Sequence, residues 1–222
     1  DGVASIENSH STDLQYESTI QYSNIFGKHS IQSILGYAYQ EINSRSSYME
    51  NYGYDNDFFQ TDNIGAGASM KEGMASMSSS RSSSKYIAFF GRVMYNYDEK
   101  YLASVSLRRD GSSKFGKNHK WGWFPAVSLG WRITGEDFMA GKDWCNDLKL
   151  RAGFGVTGNN LAYDLRSVEM LSNGGTFWDG ALGKYVYSYA VSQNVNPNLR
   201  WEKKFEYNLG LDYAFLDNRL YG

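Results

Sequence analysis

The chain is poor in the residues that staple, kink or anchor a protein. One cysteine, Cys145, among 222 residues leaves no internal disulfide possible. Its three histidines, His10, His29 and His119, lie far apart, and none has a second ligand at metal-site spacing. No stretch approaches the roughly 18 apolar residues that a transmembrane helix needs. The densest apolar run is Tyr86-Ile87-Ala88-Phe89-Phe90, so a helical membrane protein is excluded. Charge of one sign is missing too. The net charge is -2, with Lys and Arg scattered along the chain, which gives no electrostatic footprint for nucleic acid. Neither a GxSxG elbow nor a Cys–His pair at a recognisable spacing is present. No catalytic residue, metal site or cofactor is expected, and the protein does not read as an enzyme. The chain also shows no signal peptide and stops just after a turn signal, at Leu220-Tyr221-Gly222, which reads as an internal fragment.

What is present is aromatic and glycine-rich: 18 Tyr, 23 Gly and 16% aromatic residues against only 2 Pro. Aromatics favour strands and glycine punctuates turns. A mean hydropathy of -0.54 resembles that of a soluble protein. A barrel strand gives the same average, because only every second side chain meets lipid.

Periodicity decides between these readings. In Phe205-Glu-Tyr-Asn-Leu-Gly-Leu-Asp-Tyr-Ala-Phe215 every odd position is large and apolar or aromatic, and every even one polar or small. Leu148, Leu150, Ala152, Phe154 and Val156 alternate in the same way with Lys149, Arg151, Gly153, Gly155 and Thr157. The pattern predicts strands near 14–26, 30–44, 86–97, 101–110, 122–134, 148–157 and 203–215, with another starting at about 219. Short turns at 26–29, 98–100 and 216–219 alternate with long polar stretches at 46–85 and 158–202 and a medium one at 111–121. The segment 135–147 falls on the short side by parity. Long loops at one end and short turns at the other are the habit of outer-membrane barrels. The serine-rich run 74–85 is expected at a flexible, exposed loop tip. Trp123 and Trp131 share parity about 27 Å apart at strand rise, or roughly 20 Å along the membrane normal once tilted, as two aromatic girdles require.

Several motifs compete for a function. Gly153-Phe-Gly-Val-Thr-Gly158 matches a GxGxxG fingerprint and precedes a segment, 159–171, that could be helical. Lys149 and Arg151 would then be buried in a parallel sheet covered on both faces, which argues against nucleotide binding. The bland reading has Gly153 and Gly155 facing a crowded barrel interior, with Gly158 opening a loop. Asp55-Asn56-Asp57 is too sparse for a calcium site. Trp178, Tyr185 and Tyr187, with Tyr189, could stack on sugars or pack the loops together. Of the pattern's candidates, Trp178, Tyr185 and Tyr187 are the ones that could touch substrate.

From residue 86 onward the chain resembles the C-terminal barrel region of SusC/RagA-type TonB-linked outer-membrane proteins. The blocks are Phe90-Gly-Arg-Val-Met-Tyr-Asn-Tyr97, Lys100-Tyr-Leu-Ala103 and Arg108-Arg-Asp-Gly-Ser-Ser-Lys-Phe-Gly116. They continue with Trp121-Gly-Trp-Phe-Pro-Ala-Val-Ser-Leu-Gly-Trp-Arg132, Glu136-Asp-Phe138, Leu148-Lys-Leu-Arg151, Gly155-Val-Thr-Gly-Asn159 and Asn196-Pro-Asn-Leu-Arg-Trp-Glu202. Their order and spacing together are specific; residues 1–85 join through alternation and the Gly27-Lys-His29 hairpin.

The resemblance implies an all-β, antiparallel up-and-down transmembrane barrel segment, with seven to eight strands of a larger plugged barrel of about 22. Residues 1–222 would all belong to the barrel domain of a TonB-dependent receptor, with plug and TonB box absent. It further implies the outer membrane of a Gram-negative bacterium and import of oligosaccharides or peptides. The implied partners are a SusD-like surface lipoprotein, the TonB complex acting through the missing N-terminal part, and outer-membrane lipid, but no nucleic acid. Two alternatives stand beside it: a secreted carbohydrate-binding β-sandwich, soluble without detergent, and a passive porin needing no TonB box.

Overall fold

A computed structural model describes residues 2–58, 60–160 and 170–222. Ten strands follow in chain order: β1 (Gly2–Phe26), β2 (His29–Tyr54), β3 (Ser76–Tyr97), β4 (Tyr101–Ser112), β5 (Trp121–Arg132), β6 (Cys145–Asn159), β7 (Leu171–Asp179), β8 (Lys184–Val191), β9 (Glu202–Phe215) and β10 (Leu220–Tyr221). Eight form one sheet in the order β1-β2-β3-β4-β5-β6-β9-β10, and β7 with β8 makes a separate two-stranded sheet. The up-and-down arrangement is the one the sequence predicts.

Contacts divide the chain into two units. The first holds residues 1–15 and 40–85, the second 16–39 and 86–222. In the first, Asn51 is 3% exposed and donates from its amide to the carbonyls of Ile64 and Gly67 at 2.8 and 3.0 Å. Tyr54 adds a 2.7 Å bond to the Ile64 carbonyl. These bonds fold the connection between β2 and β3 back onto the strand, and they satisfy carbonyls that single 3-10 turns leave open.

The loop boundaries need correcting here. Residues 46–85 are not one long loop, because β2 continues to Tyr54 and β3 begins at Ser76. The run 76–85 is strand rather than a flexible tip, and Ser80 shares a 2.7 Å hydroxyl bond with Ser46. Serine has weak strand preference by itself. A ladder already set by Tyr86–Tyr97 supplies the next backbone partner, and strand preference yields to that context. A strand of about 9–11 residues crosses a bilayer. With 25, 26 and 22 residues, β1, β2 and β3 are about twice that length or more.

The second unit carries the clean ladders. Short turns join its strands, and left-handed backbone makes them tight: Gly27 at φ 61°, Asp98 and Glu99 at 51° and 53°, and Leu216, Asp217 and Asn218 at 54° to 60°. Lys28 reaches Asp98 from the neighbouring turn at 2.7 Å. Its buried cluster comprises Phe115, Phe124, Val156 and Trp201, with Tyr86, Phe154 and Leu199 packed against it.

Candidate functional site

Register shows which side chains share a face. Val93 pairs with Val105, Val105 with Val127, Val127 with Phe154 and Phe154 with Tyr207. The next row on that face runs Tyr95, Ala103, Leu129, Ala152, Leu209. These residues are left open: Leu209 and Tyr207 are each 78% exposed. A continuous face of this size is not stable against water and marks contact with an apolar medium. Trp131, Tyr101 and Tyr97 close it at the short-turn end, Trp121 and Trp123 at the loop end.

The opposite face is polar. Arg92, Ser106, Ala126, Gly155 and Glu206 form one row, and Met94, Ser104, Ser128, Gly153 and Asn208 the next. Arg151 meets Asp212 at 2.6 Å, and Lys149 pairs with Asp212 across the ladder. Two shallow hollows of about 530 and 410 Å³ open here, sharing Ser104, Ser128, Gly153 and Asn208. Gly153 and Gly155 lie on this face, and within this chain a Cβ on either would make only ordinary contacts, no closer than 3.6 Å. Higher on this face, Arg108 donates from Nε to both oxygens of the buried Asp110 at 2.8 and 3.0 Å, and from Nη2 to the Tyr86 hydroxyl at 2.7 Å.

The loop end is held by a knot that joins three of the sequence blocks. Trp201 lies 4.9 Å from Phe115 and 5.3 Å from Phe124 by ring centroid, and donates its indole N–H to the Lys120 carbonyl at 3.0 Å. The Gly116 amide donates to the Leu199 carbonyl at 2.9 Å. A Cβ on Gly116 would stand 1.9 Å from the Pro197 oxygen, so the two loops approach too closely for any other residue. Gly158 does not open a loop. It lies within β6, pairs with Lys203, and leaves room for the Phe124 ring. The GxGxxG run is therefore strand throughout. Of the segment 159–171 that could be helical by sequence, residues 161–169 lie outside the described residues, Asn159 ends β6 and Leu171 begins β7.

Trp178, Tyr185 and Tyr187 come together on the β7–β8 hairpin, which the strand pattern missed inside 158–202. Trp178 pairs with Tyr185 edge to face at 5.3 Å, and Thr176 pairs with Tyr187. Tyr189 continues the row, and Trp178 and all three tyrosines are exposed. The signal for the hairpin was Lys184-Tyr-Val-Tyr-Ser-Tyr-Ala-Val191, an alternating strand, after the turn Gly180-Ala-Leu-Gly183. Asp179 caps that turn through the amides of Ala181 and Leu182. Among the described residues no group of three or more His, Cys, Asp or Glu could hold a metal ion, Asp55 and Asp57 included.

The comparisons with known proteins agree with this two-faced wall. The family model described as "TonB dependent receptor-like, beta-barrel" matches residues 3–222. TonB-dependent receptor P39 of Formosa agariphila is 34% identical over 94% of this chain and 19% of its own length. TonB-dependent receptor SusC of Bacteroides thetaiotaomicron is 31% identical over 94% of this chain and 20% of its own length. The chain thus spans about a fifth of the length of these curated relatives. Among solved structures, the RagAB peptide importer in its "closed-closed" state superposes with a TM-score of 0.83 at 23% identity, covering 98% of this chain and 23% of that one. With apolar residues outward, charged residues inward and short turns opposite long loops, the chain belongs to the TonB-dependent receptor β-barrel family, as a SusC-like stretch of outer-membrane barrel wall.

Proposed function

We propose that the protein containing this chain imports oligosaccharides or peptides across the outer membrane, energised through TonB and assisted by a SusD-like surface lipoprotein. The observation that carries the reading is the two-faced wall: lipid-type residues outward, and the polar side chains Arg92, Lys149, Arg151, Glu206 and Asn208 inward. Such a wall encloses a wet passage wide enough for a plug. The RagAB structure is that of a peptide importer, and oligosaccharides are the second class that the resemblance to SusC-type proteins implies. Residues 1–222 serve as barrel, while plug and TonB box lie elsewhere in the protein.

Substrate contact falls to the hairpin. Trp178, Tyr185 and Tyr187 present flat rings on one face at the loop end, a surface suited to stacking against sugar rings or peptide side chains. Cells carrying the whole protein should accumulate a labelled oligosaccharide or peptide, and lose that uptake when TonB is deleted. Uptake that persists without TonB would convert the reading to a passive porin.

A further inference from the structure

The outward face is not uniform. Between β2 and β4 it is cut by a groove of about 740 Å³ whose sides are Leu35, Val93, Val105 and Leu107, and whose floor is Gly91. A Cβ on Gly91 would come 3.0 Å from Leu35 Cδ2, so the glycine keeps the notch open. These strands are flanked on both sides by strands of this same chain, so pairing with the rest of a barrel does not cover the groove. Its walls are exposed aliphatic side chains.

At the loop end of the groove stands Arg109, on the lipid-facing side between Phe89 and Trp123 in the ladder. Its guanidinium carbon lies 4.7 Å from the Trp121 ring and 5.0 Å from the Trp123 ring. Stacking holds the planar cation in place and leaves its N–H edges free. Arg108 next to it faces the other way and is paired with Asp110. Arg109 has no carboxylate partner among the described residues. Its depth is that of Trp123, the outer girdle, where lipid headgroups begin.

We propose that this groove is a binding site for a phosphorylated outer-leaflet lipid, lipid A, with one acyl chain on Gly91 and a phosphate on Arg109. An unpaired, oriented guanidinium at headgroup depth calls for a bidentate oxyanion. An apolar notch continuing from it toward mid-membrane calls for a hydrocarbon chain. Placement at the long-loop end assigns the outer leaflet, where lipid A is the phosphate-bearing lipid. The inference rests on the outward face meeting lipid and not on the substrate or on TonB.

The test uses the whole protein purified in mild detergent and titrated with monophosphorylated lipid A, with bound lipids counted by native mass spectrometry. One retained lipid is expected. Arg109→Gln, and separately removal of the lipid's phosphate, should each weaken it about tenfold. Gly91→Leu should weaken it by filling the notch. Leu107→Trp, which fills the same groove without touching Gly91, serves if Gly91→Leu does not fold, and the heat-modifiable band reports folding for each variant. Equal retention in Arg109→Gln and wild type overturns the proposal. So does a loss confined to Arg109→Gln with both groove variants intact, or equal retention of phosphatidylglycerol.

Discussion

At the scale of single residues, facing decides what each substitution does. Leu209 lies in mid-strand on the outward row and Asn208 beside it on the inward one. Arginine at Leu209 puts a charge among acyl chains and should cost roughly 2–4 kcal/mol. Arginine at Asn208 stays in a wet interior and should be tolerated. Folding of the intact barrel into lipid vesicles measures both, and the reverse order would show the register wrong by one.

Gly116 tests the loop knot. Alanine there drives its Cβ into the Pro197 carbonyl oxygen, a backbone atom that cannot rotate away, so one loop must move. The expected loss is roughly 1–3 kcal/mol, seen as faster proteolysis within 193–202 and no change in barrel insertion.

Glu136 gives a pH signature at the short-turn rim. Hydrogen bonds first from the Tyr101 hydroxyl at 2.5 Å and then from the Trp131 indole at 3.0 Å hold its carboxyl below the ordinary 4.5. An acid with a depressed folded value stabilises above its unfolded value and loses that contribution as pH falls through the folded one. The melting-temperature difference between wild type and Glu136→Ala should therefore be constant from neutral pH down to 4.5 and shrink only below it. A difference that grows toward acid would contradict this assignment.

At the scale of elements, loop and turn are sorted by side. Single cysteines at Ser80 and Ala181 should react with a membrane-impermeant maleimide on living cells. Those at Glu99 and Asn218, in short turns, should not. The native thiol of Cys145 is buried and adds little background. Labelling at Asn218 from outside would invert the orientation. Ser80 is exposed, yet it lies in a paired strand, so protease should cut there more slowly than in a free loop. Alanine at Trp178 with Tyr187 should lower apparent substrate affinity by severalfold without changing insertion, since each ring contributes stacking area of modest worth.

At the scale of the whole molecule, this chain has two unfinished edges, β1 and the two-residue β10. In lipid every backbone group must find a partner, so an open sheet does not persist there. Residues 1–222 expressed alone should aggregate or stay unfolded in vesicles, while the full-length protein folds. Stable insertion of the isolated piece would mean that it closes on itself. The whole protein should also co-purify from solubilised outer membranes with a surface lipoprotein. Repeated recovery of the barrel alone, under conditions that preserve comparable complexes, would remove the partner from the proposal.

How much was legible differs along the chain. Residues 86–157 and 203–215 announce themselves, because a side chain facing lipid and its neighbour facing water need opposite chemistry, and period two is written residue by residue. Strand identity, facing and the alternation of turn and loop followed from that, as did the membrane. Elsewhere the rule relaxes, and 2–13, 45–54 and 76–85 carry little alternation to read. Only pairing to a neighbour makes them strand. The same holds for the convergence of Phe115, Phe124, Pro197 and Trp201. Each belonged to a recognisable block, but residues separated by some eighty positions meet through the ladder of β6 with β9. The sequence by itself settled which side of the sheet each core strand shows to lipid. Only the tertiary structure decided that β7 and β8 bring Trp178 onto the face of the β8 tyrosines, and that Arg109 and Gly91 frame a single groove, because both depend on register between strands.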